Sequence, residues 1–479
     1  MASSLDSSLH TSYNINTDYT GTSISPPISP PTTMQHSTSS NQFPNTINTL
    51  NNDNTTPLVT NTRLNTAPRK PLYKQPIPWI VTLLSIISIA AIALAAYYGV
   101  MYHKQTQSLN SLQNQLHTTC LSTGECMVFH DEFNTNTLNT STWQHDFTMS
   151  GSSNGEFEMY SNSSDNTKII QDSTGNGILH IIPTYTSDWL DPTTMCTNGY
   201  GNLTTGCELN WYRQYGICTD ASNYGCLYTS SYGIGGDMLR PIRSARINTM
   251  NSFGFKYGRV EVSAQLPRGD WLWPAIWMMP VSDQYGIWPQ SGEIDIMESR
   301  GNGPAYSAGG YNTFSSTLHY GQSGSNQTVA NQYDTKQFVS TNDNTTLTDG
   351  FHIYGLKWTA DEIYTYIDND SNRVFTYNFK QQSIYSYGDY AANGASYTGT
   401  ASAPFDTEFY VIFDLAVGGT NNFFPDQTAV EDNKPWRNND LAPKYEFWTN
   451  RTAGTNWGST WNTTDDSTHL KIDYIRVYQ

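Results

Sequence analysis

The chain has 479 residues, of which 13% are aromatic and only 14% are charged, with a formal net charge of −17 and a pI near 4.8. Too few charges are present for a typical soluble helical protein, so the composition favours a β-rich fold punctuated by glycine. The acidic balance argues against nucleic acid or an anionic membrane surface as a partner, whereas a neutral polysaccharide carries no such penalty.

The first predicted elements are a disordered tail and a membrane helix. Residues 1–76 are rich in Ser, Thr, Asn and Pro and cannot bury enough apolar surface to offset the entropy of ordering. Residues 77–102 carry no charge and are long enough to cross a hydrocarbon core of ~30 Å. Too many residues precede this stretch for it to be a cleaved signal peptide, so we predict a transmembrane signal-anchor helix.

Charges beside this helix predict its orientation. Four basic residues precede it and only Lys104 closely follows it, which places the N-terminus in the cytoplasm. All six cysteines and eight N-x-S/T sequons fall beyond the helix, as expected for an extracellular or secretory-lumen segment. We predict a single-pass type II membrane glycoprotein in which residues 103–126 form a stem.

The cysteines predict disulfide bonds. They are even in number and none lies in a C-x-x-C pair, so zinc spacing is absent. Three pairs adjacent in sequence are the simplest of the fifteen possible connectivities, and the sequence leaves the choice open. The six are Cys120, Cys126, Cys196, Cys207, Cys218 and Cys226.

Residues 127–479 predict an all-β domain. Short runs, several alternating apolar and polar residues, are separated by clusters of Gly, Asn, Asp and Ser, and helical periodicity longer than two turns is missing. This pattern favours two antiparallel sheets packed as a sandwich or jelly roll. The predicted strands are Met127–His130, Gly177–Pro183, Gly258–Leu266, Ala275–Met279, Glu293–Met297, His352–Trp358, Ile363–Ile367, Phe409–Leu415 and Leu470–Tyr478.

One predicted strand carries three carboxyl groups within six residues. Glu293 and Asp295 share a face by strand parity, whereas Glu298 has the wrong parity and would point to the core. A β-bulge at Ile296-Met297 would return Glu298 to the polar face. The alternatives are a solvated acidic strand or a calcium site, and a merely solvated face would not need this bulge.

Paired carboxyl groups of this kind are suited to glycoside hydrolysis with retention of configuration. By position, we expect Glu293 to be the nucleophile and Glu298 the acid/base, with Asp295 separating their pKa values. Four tryptophans lie just upstream or beside this strand, and flat aromatic rings suit the C–H faces of sugars. We expect at least two of Trp271, Trp273, Trp277 and Trp288 to line a cleft.

The order of short sequence blocks resembles glycoside hydrolase family 16, in its laminarinase and β-1,3-glucan-recognition-protein branch. The family's bulged E-x-D-x-x-E signature matches Glu293, Asp295 and Glu298. Further blocks are His130–Asn134, Ser244–Ile247, Phe255–Glu261, Gly269–Trp277, Thr317–Gly321, Ala416–Gly419, Asn433–Trp436 and Asp473–Tyr478.

This resemblance implies a jelly roll with a glucan cleft across its concave sheet and the same catalytic assignment. It implies Trp273, Trp277 and Trp288 as sugar platforms, His319 near the scissile bond and Arg246 among the substrate contacts. No cofactor is implied, although some members bind a structural Ca²⁺ near the closing aspartate, here Asp473. Asp414 departs from the pattern, since the block usually reads Asn-Leu-Ala-Val-Gly-Gly.

The expected function is therefore a membrane-anchored retaining endo-β-1,3-glucanase that needs no obligatory protein partner. Two alternatives stay open. One is a glucan transglycosylase of wall assembly, since a covalent intermediate can pass its glycosyl group to a sugar instead of water. The other is a non-hydrolytic β-1,3-glucan receptor, but the receptors of this branch lack the catalytic carboxylates, and here all three are present.

Overall fold

The computed structural model describes residues 120–152, 154–190, 208–229, 238–321, 332–339, 346–384, 399–426, 432–462 and 464–479, together with Leu94 and Tyr98. Two large sheets form the body of the described chain. One has seven strands in the order β15-β14-β13-β12-β19-β10-β2, and we call it the cleft sheet. The other has eight, with seven in the order β18-β17-β16-β11-β20-β5-β4 and β1 also paired with β20, and we call it the outer sheet.

The strands of the outer sheet are β1 Met127–Asp131, β4 Thr167–Gln171, β5 Gly177–Ile181, β11 Gly258–Gln265, β16 His352–Trp358, β17 Glu362–Ile367, β18 Arg373–Asn378 and β20 Leu470–Tyr478. Those of the cleft sheet are β2 Gln144–His145, β10 Arg246–Asn248, β12 Leu272–Pro280, β13 Glu293–Ser299, β14 Thr313–Tyr320, β15 Gln332–Val339 and β19 Phe409–Val417.

Two small sheets, three short α-helices and two 3-10 helices, Ser222–Tyr224 and Trp457–Thr460, complete the described elements. The small sheets comprise β3 Glu158–Tyr160, β6 Thr184–Tyr185 and β9 Ile242–Ser244, and separately β7 Glu208–Asn210 and β8 Leu227–Thr229. The α-helices are α1 Thr186–Trp189, α2 Trp211–Tyr215 and α3 Pro443–Thr449.

The predicted two-sheet antiparallel sandwich is confirmed, because every ladder within the two large sheets is antiparallel. All nine predicted strands are present, with ends that differ by no more than three residues. Inward-facing side chains from both sheets form one apolar core, in which Val260, Ile276, Ile294, Leu356 and Ile475 are fully buried. The core holds the cleft sheet as a rigid floor for polar side chains on its other face.

Two of the predicted disulfide bonds are confirmed, both between cysteines adjacent in sequence. Cys120 is joined to Cys126 and Cys218 to Cys226. The backbone of Cys126 exchanges hydrogen bonds with Gln479, at 2.7 and 2.9 Å, so this end of the predicted stem is paired with the end of the outer sheet. Cys196 and Cys207 lie outside the described residues.

Among the described residues, no helix is long and apolar enough to span a membrane. The predicted tail, residues 1–76, lies outside the described part of the chain, and so does the predicted membrane helix except for Leu94 and Tyr98.

Candidate active site

The three carboxyl groups of β13 share one face of the cleft sheet. A bulge causes this: Ile276 pairs with Met297 and Trp277 with Asp295, so Ile296 is an extra residue on β13. On the other side the register jumps from Asp295 to Glu298. The bulge predicted from strand parity is therefore confirmed.

Buried polar groups and a glycine stabilise this bulge. The hydroxyl of Ser316 donates to the carbonyl oxygen of Ile296 at 2.7 Å, which satisfies a backbone acceptor that the bulge removes from regular pairing. Gly292 begins the strand at φ 88°, and a Cβ there would lie 2.9 Å from Phe405 Cε1. Glycine is thus required for the chain to enter β13 at this angle.

Cross-strand register places the site residues in rows. Glu293 is opposite His319, and Asp295 lies between Thr317 and Trp277. The next row crosses five strands and reads Ser315, Glu298, Ala275, Asp414 and Arg246. Side chains in one row and on alternate positions of a strand share a face, so the sheet itself aligns the carboxyl groups with their neighbours.

These side chains line a cavity of about 890 Å³. Every site residue predicted from the sequence is on its wall: Glu293, Asp295, Glu298, Trp273, Trp277, Trp288, His319 and Arg246. Trp271 is instead 1% exposed in the apolar core, where its ring meets Trp436 edge-on. The cavity also includes residues that sequence reasoning missed, namely Ser152, Asn154, Glu156, Asp220, Arg300, Asn421, Asn422 and Phe423.

Glu298 is held by a stack of three side chains. The indole N–H of Trp273 donates to Glu298 Oε1 at 3.0 Å, and Trp273 stacks on Phe423 with ring centroids 3.8 Å apart. The guanidinium of Arg300 lies 4.0 Å from the centre of the Phe423 ring. Burial, with the charge of Glu293, raises the pKa of Glu298 to about 7, against the opposing effects of His319 and Trp273.

Asp295 and His319 form a close pair beside the two glutamates. His319 Nε2 lies 3.2 Å from Asp295 Oδ2. Burial and the charges of Glu293 and Glu298 raise the pKa of Asp295 well above its usual range. Burial opposes protonation of His319, but contact with Asp295 and the two glutamates outweighs it and raises the His319 pKa to about 10. The carboxyl cluster therefore retains protons at neutral pH.

Glu293 is the more accessible end of this cluster. The indole N–H of Trp288 donates to Glu293 Oε2, and the Trp288 side chain is 46% exposed. Glu293 therefore lies on the cavity wall with an N–H donor at its carboxylate.

The far end of the row is an ion-paired network around Asp414. Trp277 donates to Asp414 Oδ1 at 2.7 Å, and Arg246 and Tyr160 donate to Oδ2 at 3.1 and 3.0 Å. Arg246 also donates to Ser152 at 2.7 Å. Asp414 lines the cavity beside Arg246, but their pairing spans 168 positions and could not be read from the sequence.

One group in the described residues has the composition of a metal site. Glu293, Asp295 and His319 each offer a ligand atom within 4.8 Å of the others. Glu293 and Asp295 are the residues that the bulged strand directs to the cavity, and His319 carries a raised pKa that disfavours its ligand form. Asp473 is outside this group and accepts a hydrogen bond from Ser263 at 3.3 Å, so its link to Ca²⁺ stays a prediction.

The chain is similar in sequence to a family of glycosyl hydrolases and to individual proteins. Residues 223–399 match the model described as Glycosyl hydrolases family 16. The chain is 37% identical over 367 residues to the β-1,3-glucan-binding protein of Penaeus monodon, covering 74% of this chain and 90% of that protein. It is 29% identical to glucan endo-1,3-β-glucosidase A1 of Niallia circulans, covering 74% of this chain and 38% of that one.

Among solved structures, the laminarinase from Rhodothermus marinus aligns with 74% of this chain and 96% of its own at 21% identity, with a TM-score of 0.42. Two antiparallel sheets, one with a cleft lined by three carboxyl groups, define a β-sandwich. The chain belongs to glycoside hydrolase family 16.

Proposed function

We propose that the protein is a retaining endo-β-glucanase that cleaves β-1,3-linked glucan. The observation that carries the proposal is the bulged strand β13, which brings Glu293, Asp295 and Glu298 to the wall of one cavity. Two carboxyl groups with different protonation are what a double displacement requires. Glu298, with a pKa of about 7, can hold a proton that Glu293 does not need.

In the first step, a carboxylate oxygen of Glu293 attacks the anomeric carbon as the glycosidic C–O bond breaks. Glu298 gives its proton to the departing oxygen, so the leaving sugar is released as an alcohol. In the second step, Glu298 takes a proton from water while the water oxygen attacks the same carbon and the bond to Glu293 breaks. Both enzyme groups are restored, and two inversions give net retention.

Asp295 and His319 together reduce the electrostatic repulsion around the two glutamates, Glu293 and Glu298. His319, with its raised pKa, supplies a positive charge 3.2 Å from Asp295 Oδ2, which compensates part of the negative charge that three carboxyl groups would accumulate. His319 is also opposite Glu293 in the register, so its positive charge lies on the strand next to the proposed nucleophile.

The cavity lining supports a neutral polymer as substrate. Six acidic side chains face three basic ones, His319 included, so an anionic polysaccharide would be repelled. Trp277 and the exposed Trp288 both line the cavity and offer aromatic rings to a sugar. Both similar proteins named above are described as binding or cleaving β-1,3-glucan, which supports that linkage.

A second candidate is a glucan receptor without turnover, favoured by the 37% identity to a protein named for binding. A third is transglycosylation, in which a sugar hydroxyl replaces water in the second step. The three carboxyl groups favour an enzyme over a receptor, because binding alone needs no acid with a raised pKa.

The full-length wild-type protein, Glu293→Gln and a Glu408→Gln control on an exposed surface position test these candidates. Each is incubated with laminarin and with mixed-linkage β-glucan, and both reducing ends and binding are measured. We expect shortened products from the wild type and the control, and binding without turnover from Glu293→Gln. Binding by all three without products would favour the receptor, and products longer than the starting oligosaccharide would favour the transglycosylase.

We further propose that this domain is anchored as a type II membrane protein through residues 77–102. The uncharged stretch and the basic residues before it support this orientation. Protease treatment of sealed microsomes tests it: the domain should be protected and residues 1–76 digested. Digestion of the domain in intact vesicles would contradict the orientation.

A further inference from the structure

The cleft sheet contains a buried acceptor at the position where the family pattern has an amide. Asp414 is 2% exposed and occupies the middle of a network that no step of the proposed reaction uses. It lies two strands from Glu298 in the same row, a separation of about 10 Å between backbones at normal strand spacing. This is close enough to affect a sugar ring next to the bond that is cleaved.

Three donors converge on the two oxygens of this carboxylate. Oδ1 accepts the indole N–H of Trp277, and Oδ2 accepts both the hydroxyl of Tyr160 and the guanidinium of Arg246. An asparagine has one acceptor oxygen, and its amide N–H₂ would have to face either the indole N–H or the guanidinium. In a buried site, two donors that face each other leave polar groups unsatisfied, which destabilises that arrangement of the side chains.

The donors also fix the shape of the cavity wall. The guanidinium of Arg246 lies 4.6 Å from the centre of the Tyr160 ring and 5.2 Å from that of Trp277. Trp277 and Arg246 both line the cavity, whereas Tyr160 is 1% exposed behind them. One buried carboxylate therefore contacts both the indole and the guanidinium, and Ser152 accepts a further hydrogen bond from Arg246.

We propose that Asp414 is a positioning residue that holds Trp277 and Arg246 as one rigid sugar-binding surface, and that this surface requires a carboxylate rather than the family's usual amide. The proposal deepens the proposed function, since it assigns that surface to the glucan chain. It acts on binding of the sugar and leaves the carboxyl groups of β13 untouched.

The test uses Asp414→Asn, which keeps the shape of the side chain and restores the family residue. In the Glu293→Gln background, binding of laminarihexaose is followed by tryptophan fluorescence, so that the result does not depend on turnover. We expect Asp414→Asn to weaken binding at least tenfold, and in the active protein to raise KM while kcat changes less than threefold. Unchanged affinity would overturn the proposal.

A double-mutant cycle separates positioning from general damage. Trp277→Phe removes the indole N–H but keeps a ring, so adding Asp414→Asn to it should weaken binding less than threefold further. An equal loss in both backgrounds would overturn the proposal. Glu408→Gln is the control, because Glu408 is exposed and lies outside this network, and affinity should stay within twofold.

These experiments distinguish a failure of the role proposed for Asp414 from a failure of the proposed glucanase function. Binding that depends on Asp414 without any hydrolysis by the wild type would sustain the inference and refute the glucanase. Hydrolysis that is unchanged by Asp414→Asn would refute the role proposed for Asp414 and support the glucanase. Failure of the Glu293→Gln protein to bind laminarihexaose at all would overturn both. If Asp414→Asn does not fold, Asp414→Glu gives the second reading, since a folded Glu variant with native affinity would show that charge alone suffices and overturn the geometric part of the proposal.

Discussion

Replacing the proposed acid/base with its amide should inactivate the protein and also stabilise it. In Glu298→Gln the side chain keeps its shape and can still accept the N–H of Trp273 through its amide oxygen. The glutamine cannot bind or release a proton. In the wild type the pKa of Glu298 is raised from its ordinary value of 4.5 to about 7, mainly by burial.

Proton linkage gives the sign and size of the change in the free energy of unfolding. Between pH 4.5 and 7 the folded protein binds this proton more strongly than the unfolded chain, so ionisation lowers the free energy of unfolding as pH rises. The shift corresponds to at most ~3 kcal/mol at pH 8, since each pKa unit represents ~1.4 kcal/mol and Glu298 keeps some solvent contact. Glu298→Gln removes this penalty at high pH and changes little below pH 4.5.

Thermal unfolding of wild type, Glu298→Gln and the exposed Glu408→Gln measures this effect between pH 4 and 8. For a domain of this size we expect Glu298→Gln to gain about 4 °C at pH 8 and close to nothing at pH 4. Glu408→Gln should follow the wild type throughout. An equal gain at both pH values, or no gain at pH 8, would refute the assignment of a strained, buried acid at this position.

Three further outcomes follow from the described contacts. Replacing Cys218 and Cys226 together by serine should lower the free energy of unfolding by about 2–3 kcal/mol in chemical denaturation. The raised pKa of His319 contributes stability that is present below pH 6.5 and lost as pH rises through about 10, so His319→Gln should destabilise the protein more at pH 6 than at pH 10.5 in chemical denaturation. Trp143→Phe should cost about 1–3 kcal/mol in the same assay, because it removes the indole N–H that donates to Asp131 Oδ2 at 2.9 Å, and a loss below 0.5 kcal/mol would contradict that bond's importance.

Strands with clear alternation could be predicted from the sequence, and β14 and β15 could not. The reason is visible in β14, where Ser316 is fully buried and Thr317 nearly so. Ser316 donates to the bulge carbonyl of Ile296 and accepts from Thr365, so these polar side chains lie inside without cost to hydrogen bonding. Hydropathy patterns treat such residues as surface and miss the strand.

The carboxyl triad was predictable because it lies on one strand, where parity and the bulge are local properties. Of the residues brought from far along the chain, His319 and Arg246 were implied by the family resemblance, and others were missed. Phe423, which stacks on Trp273, and Glu156, which lies 3.6 Å from Arg246, reach the cleft through loops. Trp271 shares the parity of Trp273 but precedes β12 with φ 71°, so alternation does not apply and its ring turns into the core.

The proposed mechanism requires that Glu293 form a covalent bond to the sugar. Incubation of the full-length protein with an activated 2-deoxy-2-fluoro-β-laminaribioside slows the second displacement, and mass spectrometry of the denatured protein and its peptides then locates any adduct. We predict one glycosyl unit attached through Glu293 in the wild type and in Glu408→Gln, and none in Glu293→Gln. Turnover of laminarin without an adduct, or an adduct on Glu298, would contradict the assignment of Glu293 as the nucleophile.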